Sequence, residues 1–122
     1  MTKEETIAEI HRIAEECNHP NWDSYDALPT KSEAVETAIR FLDLLPDDVS
    51  MPDVSPDNDG EISFDWGQGF IDTPYMIICT TANPDKFIAV WKVENDPERE
   101  VFLLEEGRIP QRIVDVIRQI PA

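Results

Sequence analysis

A chain of 122 residues is the size of one domain, and 41% hydrophobic residues give it enough apolar surface to build a core. Its charge is lopsided: 10 Lys and Arg against 26 Asp and Glu leave a formal net charge of −16 at pH 7. Such a surface repels phosphate backbones and anionic lipid, which excludes direct nucleic-acid or membrane-surface binding as the leading function.

The start, Met1 to Glu5, is polar and acidic where a signal peptide would be basic and then apolar. No apolar run approaches the roughly 20 residues of a membrane span, so a cytoplasmic protein is expected. Thr2 and Glu5 have capping-box spacing, and Ile7, Ile10, Ile13, Ala14 and Cys17 follow at helical period, which predicts an amphipathic helix over residues 3–17. Residues 21–29 have no period, but Trp22, Tyr25 and Leu28 predict an ordered connection packed on the core. Thr30 or Ser32 then caps a second helix, with Glu33 completing a box from Thr30, and Val35, Ala38, Ile39, Leu42 and Leu45 form its stripe up to Pro46.

Beyond Met51 the period changes to two. Ile62, Phe64 and Trp66 alternate with Glu61, Ser63 and Asp65, the pattern of an antiparallel strand with one dry and one wet face. Asp57-Asn58-Asp59-Gly60 supplies a turn before it, and residues 52–55 can form an edge partner. Strands over about 75–80 and 86–93 are apolar on both sides, which predicts central strands at least partly covered on both sides. A last strand, 101–104, follows the charged loop 95–99, and Pro110 introduces a third helix carrying Ile113, Val116, Ile117 and Ile120. The order predicts one acidic α+β domain over residues 1–122: two N-terminal helices, an antiparallel meander of four or five strands, a C-terminal helix, and two-layer packing.

The segment Asn21-Trp22-Asp23-Ser24-Tyr25-Asp26-Ala27, then Phe41-Leu42, Leu45-Pro46, Gly60-Glu61-Ile62 and Trp66, resembles a group of small bacterial proteins of uncharacterised activity. In that group N-W-D-G-Y-G-A precedes a helix ending F-L-x-L-L-P, a D-G-E-I turn and a Trp-ended strand. The resemblance covers residues 21–66, with Ser24 and Asp26 standing where glycine is commoner. It implies a shared fold and carries no activity with it.

Between Phe41 and Asp85 there is no Lys or Arg, while acids recur throughout. Asp47, Asp48, Asp53, Asp57, Asp59 and Asp65 are therefore expected to present a negative, phosphate-like field to a basic protein surface, the competing reading being a solubilising face. Trp22 and Tyr25 beside Asp23 and Asp26 pair aromatic anchors with acids, as hot spots against basic partners do, or else plug the core. A twelve-residue calcium loop is excluded: with Gly60 sixth, Ser55 and Trp66 would occupy the first and last ligand positions. His11 and Cys17 lie about 600° apart around a helix, so they share no metal. Cys17 and Cys79 lack zinc or redox spacing and are expected to be free buried thiols.

No nucleophile elbow, phosphate loop or metalloprotease motif occurs, and no cofactor is implied. The leading expectation is a non-enzymatic acidic binding protein: an inhibitor, an antitoxin-like neutraliser or a nucleic-acid mimic of phage or mobile-element origin. The alternative is a small enzyme or ligand-binding domain using His11, Asp23 and Asp26.

Overall fold

The structure is a computed structural model that describes residues 1–67, 73–94 and 96–121. Helix α1 (Lys3–Glu16) starts with the capping box its sequence predicts: the Thr2 hydroxyl accepts from the Glu5 amide at 3.1 Å, and the Glu5 carboxylate accepts from the Thr2 amide at 2.9 Å. Helix α2 (Ser32–Leu44) departs from expectation at its start. Lys31 is the N-cap and no side chain caps the helix, so the Thr30–Glu33 box does not form. Tertiary contacts set this boundary instead. The Lys31 amide donates to the Gly60 carbonyl at 2.9 Å, and its ammonium lies 2.7 Å from the buried Glu61 carboxylate.

Five strands follow, β1 (Asp53–Pro56), β2 (Ile62–Trp66), β3 (Tyr75–Thr80), β4 (Lys86–Lys92) and β5 (Glu98–Leu103), and helix α3 (Gln111–Arg118) ends the order. They form one antiparallel sheet in sequence order, as short connections dictate. β5 begins earlier than its apolar residues suggest, because Glu98 and Arg99 pair with Trp91 and Val90 and extend the ladder into the predicted loop. Asn95 of that loop lies outside the described residues.

The three helices share one core with one face of the sheet. Ile10 of α1, Phe41 and Leu42 of α2, and Ile113 and Ile117 of α3 pack with Ile62, Phe64, Met76, Ile78, Phe87 and Phe102. Phe41 bridges the layers, its ring centroid 4.9 Å from that of Phe64 and 5.1 Å from that of Phe87. Trp66 is buried, and its indole N–H donates to the Ser50 carbonyl at 2.9 Å.

The opposite, outer face is covered only in part. Ile77, Cys79, Ile88 and Val90 are only half-buried, Val101 and Leu103 are exposed, and none belongs to the core. The apolar alternate positions of β3 and β4 are real, but the chain's helices all lie on the other side.

Candidate functional site

Residues 21–28 connect α1 to the approach of α2 and hold their shape through their own polar groups. The Asn21 amide donates to the Ala27 carbonyl at 2.7 Å, closing the loop, and the Ser24 amide donates to the Asn21 carbonyl at 3.1 Å. One Asp23 carboxylate oxygen accepts from the Tyr25 and Ala27 amides at 2.8 and 3.1 Å, while the Asn21 side-chain oxygen accepts from the Asp26 amide at 2.8 Å. These are Asx-type bonds, the local chemistry that Asn and Asp offer to turns.

The backbone is unusual. Asn21, Ser24 and Asp26 adopt φ of 61°, 65° and 64°, the left-handed region that side chains other than glycine enter at a cost. The loop is also anchored from outside: Ala27 is buried, and the Leu28 amide donates to the Asn58 carbonyl at 2.8 Å. This seats the loop against the turn between β1 and β2, where Gly60 has φ +88° and lies so close to the Pro29 carbonyl that an added Cβ would stand 2.8 Å from it.

On this hydrogen-bonded frame Tyr25 is 86% exposed and Leu28 54% exposed. Trp22 is half-buried, and its indole N–H donates to the Leu28 carbonyl at 2.9 Å, so it supports the loop from one side without being a full core plug. Asp26 is exposed beside Tyr25.

The other acids expected at a partner surface fall in separate places. Asp47 and Asp48 follow α2; Asp48 is held by the Arg118 guanidinium at 3.0 and 3.1 Å, which lowers its pKa from the usual carboxylate range, and Asp47 lies 3.9 Å from Lys3. Asp53 and Asp65 are directly paired across β1 and β2 on the outer face. Burial and then Asp53 push the Asp65 carboxyl up.

Asp59 accepts from the Glu61 amide at 3.0 Å within the turn. Asp57 accepts from the Ser63 hydroxyl at 2.6 and 2.8 Å, and the Ser63 oxygen stands 3.2 Å from the Cys79 sulfur. Since the Ser63 proton goes to Asp57, the thiol is the donor to Ser63. Burial raises both the Asp57 carboxyl and the Cys79 thiol, which favours the protonated form of each.

His11 is exposed on α1, while the carboxylate of Asp23 is engaged within its own loop, so the geometry does not join them as an acid-base pair. A groove of about 300 Å³ between α2 and the β3–β4 turn, lined by Glu36, Thr37, Arg40 and Thr81, contains none of His11, Asp23 and Asp26. Among the described residues no three His, Cys, Asp or Glu side chains are disposed to hold a metal ion, and no helix is long and apolar enough to cross a membrane. Cys17 and Cys79 are both free, the first buried and the second half-buried.

The left-handed backbone at Asn21, Ser24 and Asp26 has no sign in the sequence, while the exposure of Tyr25 agrees with the anchor reading of that residue and not with the core-plug reading. No family model, curated protein or solved structure matches this chain.

Proposed function

We propose that this protein is a non-enzymatic acidic binding protein of the cytoplasm that engages a basic protein surface through residues 21–28. The observation that carries the reading is a nearly fully exposed Tyr25 on a loop that keeps three non-glycine residues in left-handed conformation. Backbone strain of about 1–3 kcal/mol per residue persists where the surroundings over-determine it, and such residues cluster at binding sites. An aromatic anchor on a pre-ordered loop loses little entropy on binding. Tyr25 and Leu28 supply the apolar contact and Asp26 pairs with a Lys or Arg. The net charge of −16 then draws a basic partner, such as a nucleic-acid-binding protein, from a distance.

The test is capture from the native host with wild type and with a Tyr25→Ala, Leu28→Ser variant, followed by rate measurements on the captured protein. A hot-spot anchor predicts an affinity loss of about 30-fold or more with unchanged thermal unfolding, and a wild-type on-rate that falls as salt rises. Equal capture by both proteins overturns the reading.

A further inference from the structure

We propose that the outer face of the sheet is a self-association surface, on which two copies pack face to face about a two-fold axis that runs along the strands. The ladder register gives the pattern. One row across the sheet reads Asp53, Asp65, Ile77, Val90, Arg99, and the next reads Ser55, Ser63, Cys79, Ile88, Val101. The face is thus acidic over β1 and β2, apolar through the middle and basic over β4 and β5, where Lys86 and Lys92 lie on the same side as Arg99. Three of the chain's 10 cations stand on this one face of a protein whose charge is otherwise strongly negative.

That pattern selects the occupant. A uniformly basic partner would be repelled over β4 and β5, and a uniformly acidic one over β1 and β2. A second copy turned about the strand direction sets each half against its complement: Asp53 meets Arg99 of the other copy, and Ile77 and Cys79 lie near the axis against their own counterparts. Rotation about an axis across the strands would instead set β1 on β1, acid against acid. Asp53, Asp65, Lys86 and Arg99 make no ion pair among the described residues, so their charges are available. Aligned sheets cross at about 30°, and the long Arg99 side chain spans the offset that this introduces at the edge.

An apolar strip lies between the charged edges of this face. Val101 is 43% and Leu103 54% exposed, and Ile77, Ile88 and Val90 beside them are half-buried and, among the described residues, outside the core cluster. Five strands about 4.8 Å apart and some five residues long give a footprint of roughly 400 Å². That is about half of the roughly 800 Å² per partner that standard specific interfaces bury, so the dimer is a weak, concentration-dependent one.

Sedimentation equilibrium of the full chain from micromolar to millimolar concentration, in about 0.15 M salt, tests this. Wild type should dimerise, and Asp53→Arg and Arg99→Asp should each weaken the dimer by about tenfold or more, with circular dichroism confirming the fold. Mixing the two variants should restore association, because every cross-copy pair at positions 53 and 99 is then of opposite charge. Wild type that stays monomeric to 1 mM, a dimer insensitive to both variants, or a mixture no tighter than either variant alone would each overturn the proposal.

Discussion

The two faces of the sheet are built from the same strands and much the same residue types, yet they meet different surroundings. On β4, Phe87 and Ala89 are completely buried under the helices, while Ile88 and Val90, one residue along, are half-exposed. On β2 the difference is written in residue type, with Phe64 inward and Ser63 and Asp65 outward; on β3 and β4 it is not. Apolar residues at both parities therefore identify a central strand without saying what covers each side, since that depends on where the helices go.

The sharpest way to break the comparison is to truncate neighbours that point opposite ways. Phe87→Ala removes a ring packed against Phe41 and Phe102 and should cost about 3–5 kcal/mol. Ile88→Ala, measured in dilute solution where copies are apart, should cost about 1 kcal/mol, because less surface leaves water on folding. Urea unfolding of both variants checks the pair, and equal losses would show that the outer face is covered after all.

The helix side is also tied to the sheet at the β1–β2 turn, and Gly60 tests that seam. Alanine there must hold a φ near +88° and place a Cβ 2.8 Å from the Pro29 carbonyl, a backbone atom with little room to move. Gly60→Ala should cost about 2 kcal/mol or more, from left-handed strain of about 1–2 kcal/mol plus the displaced contact. A change below about 0.5 kcal/mol in chemical denaturation would mean that this seam yields freely.

Legibility follows the range of the interaction. The helices, the alternation in β2 and the meander could be read locally, because period, caps and turns are properties of neighbouring residues. The start of α2 could not, since Lys31 is fixed by Gly60 and Glu61, some thirty positions away in the chain. The 21–28 loop was half legible: its aromatics and acids stood out, whereas left-handed Asn21, Ser24 and Asp26 carry no glycine to announce them. Replacing Ser24 by glycine should relieve that strain and raise stability by about 0.5–1 kcal/mol, reduced by the extra freedom of glycine in the unfolded chain. Thermal unfolding measures it, and a loss of stability would show that the Ser24 side chain supports the loop.

The smallest effect contrasts two acids, one on each side of the sheet's environment. Asp48 is paired with Arg118 of α3 and its pKa is lowered, so its contribution to stability is present above the unfolded value and lost as pH falls through the folded one. Asp65 faces outward opposite Asp53 and its pKa is raised, by burial first and by Asp53 second. The sign is then reversed: the folded state favours the protonated acid, so the penalty is absent below the unfolded value of about 3.9 and develops as pH rises through the folded one. Asp65→Asn should therefore be more stable than wild type at pH 7, by a few tenths to about 1 kcal/mol for like charges directly opposed on a ladder. The gain should close on acidification to about pH 3, whereas Asp48→Asn should lose stability at pH 7. Urea unfolding of the dilute proteins at both pH values decides the contrast. A gain for Asp65→Asn that persists at low pH would assign it to packing, and no gain at pH 7 would show that a cation already answers the outer-face pair.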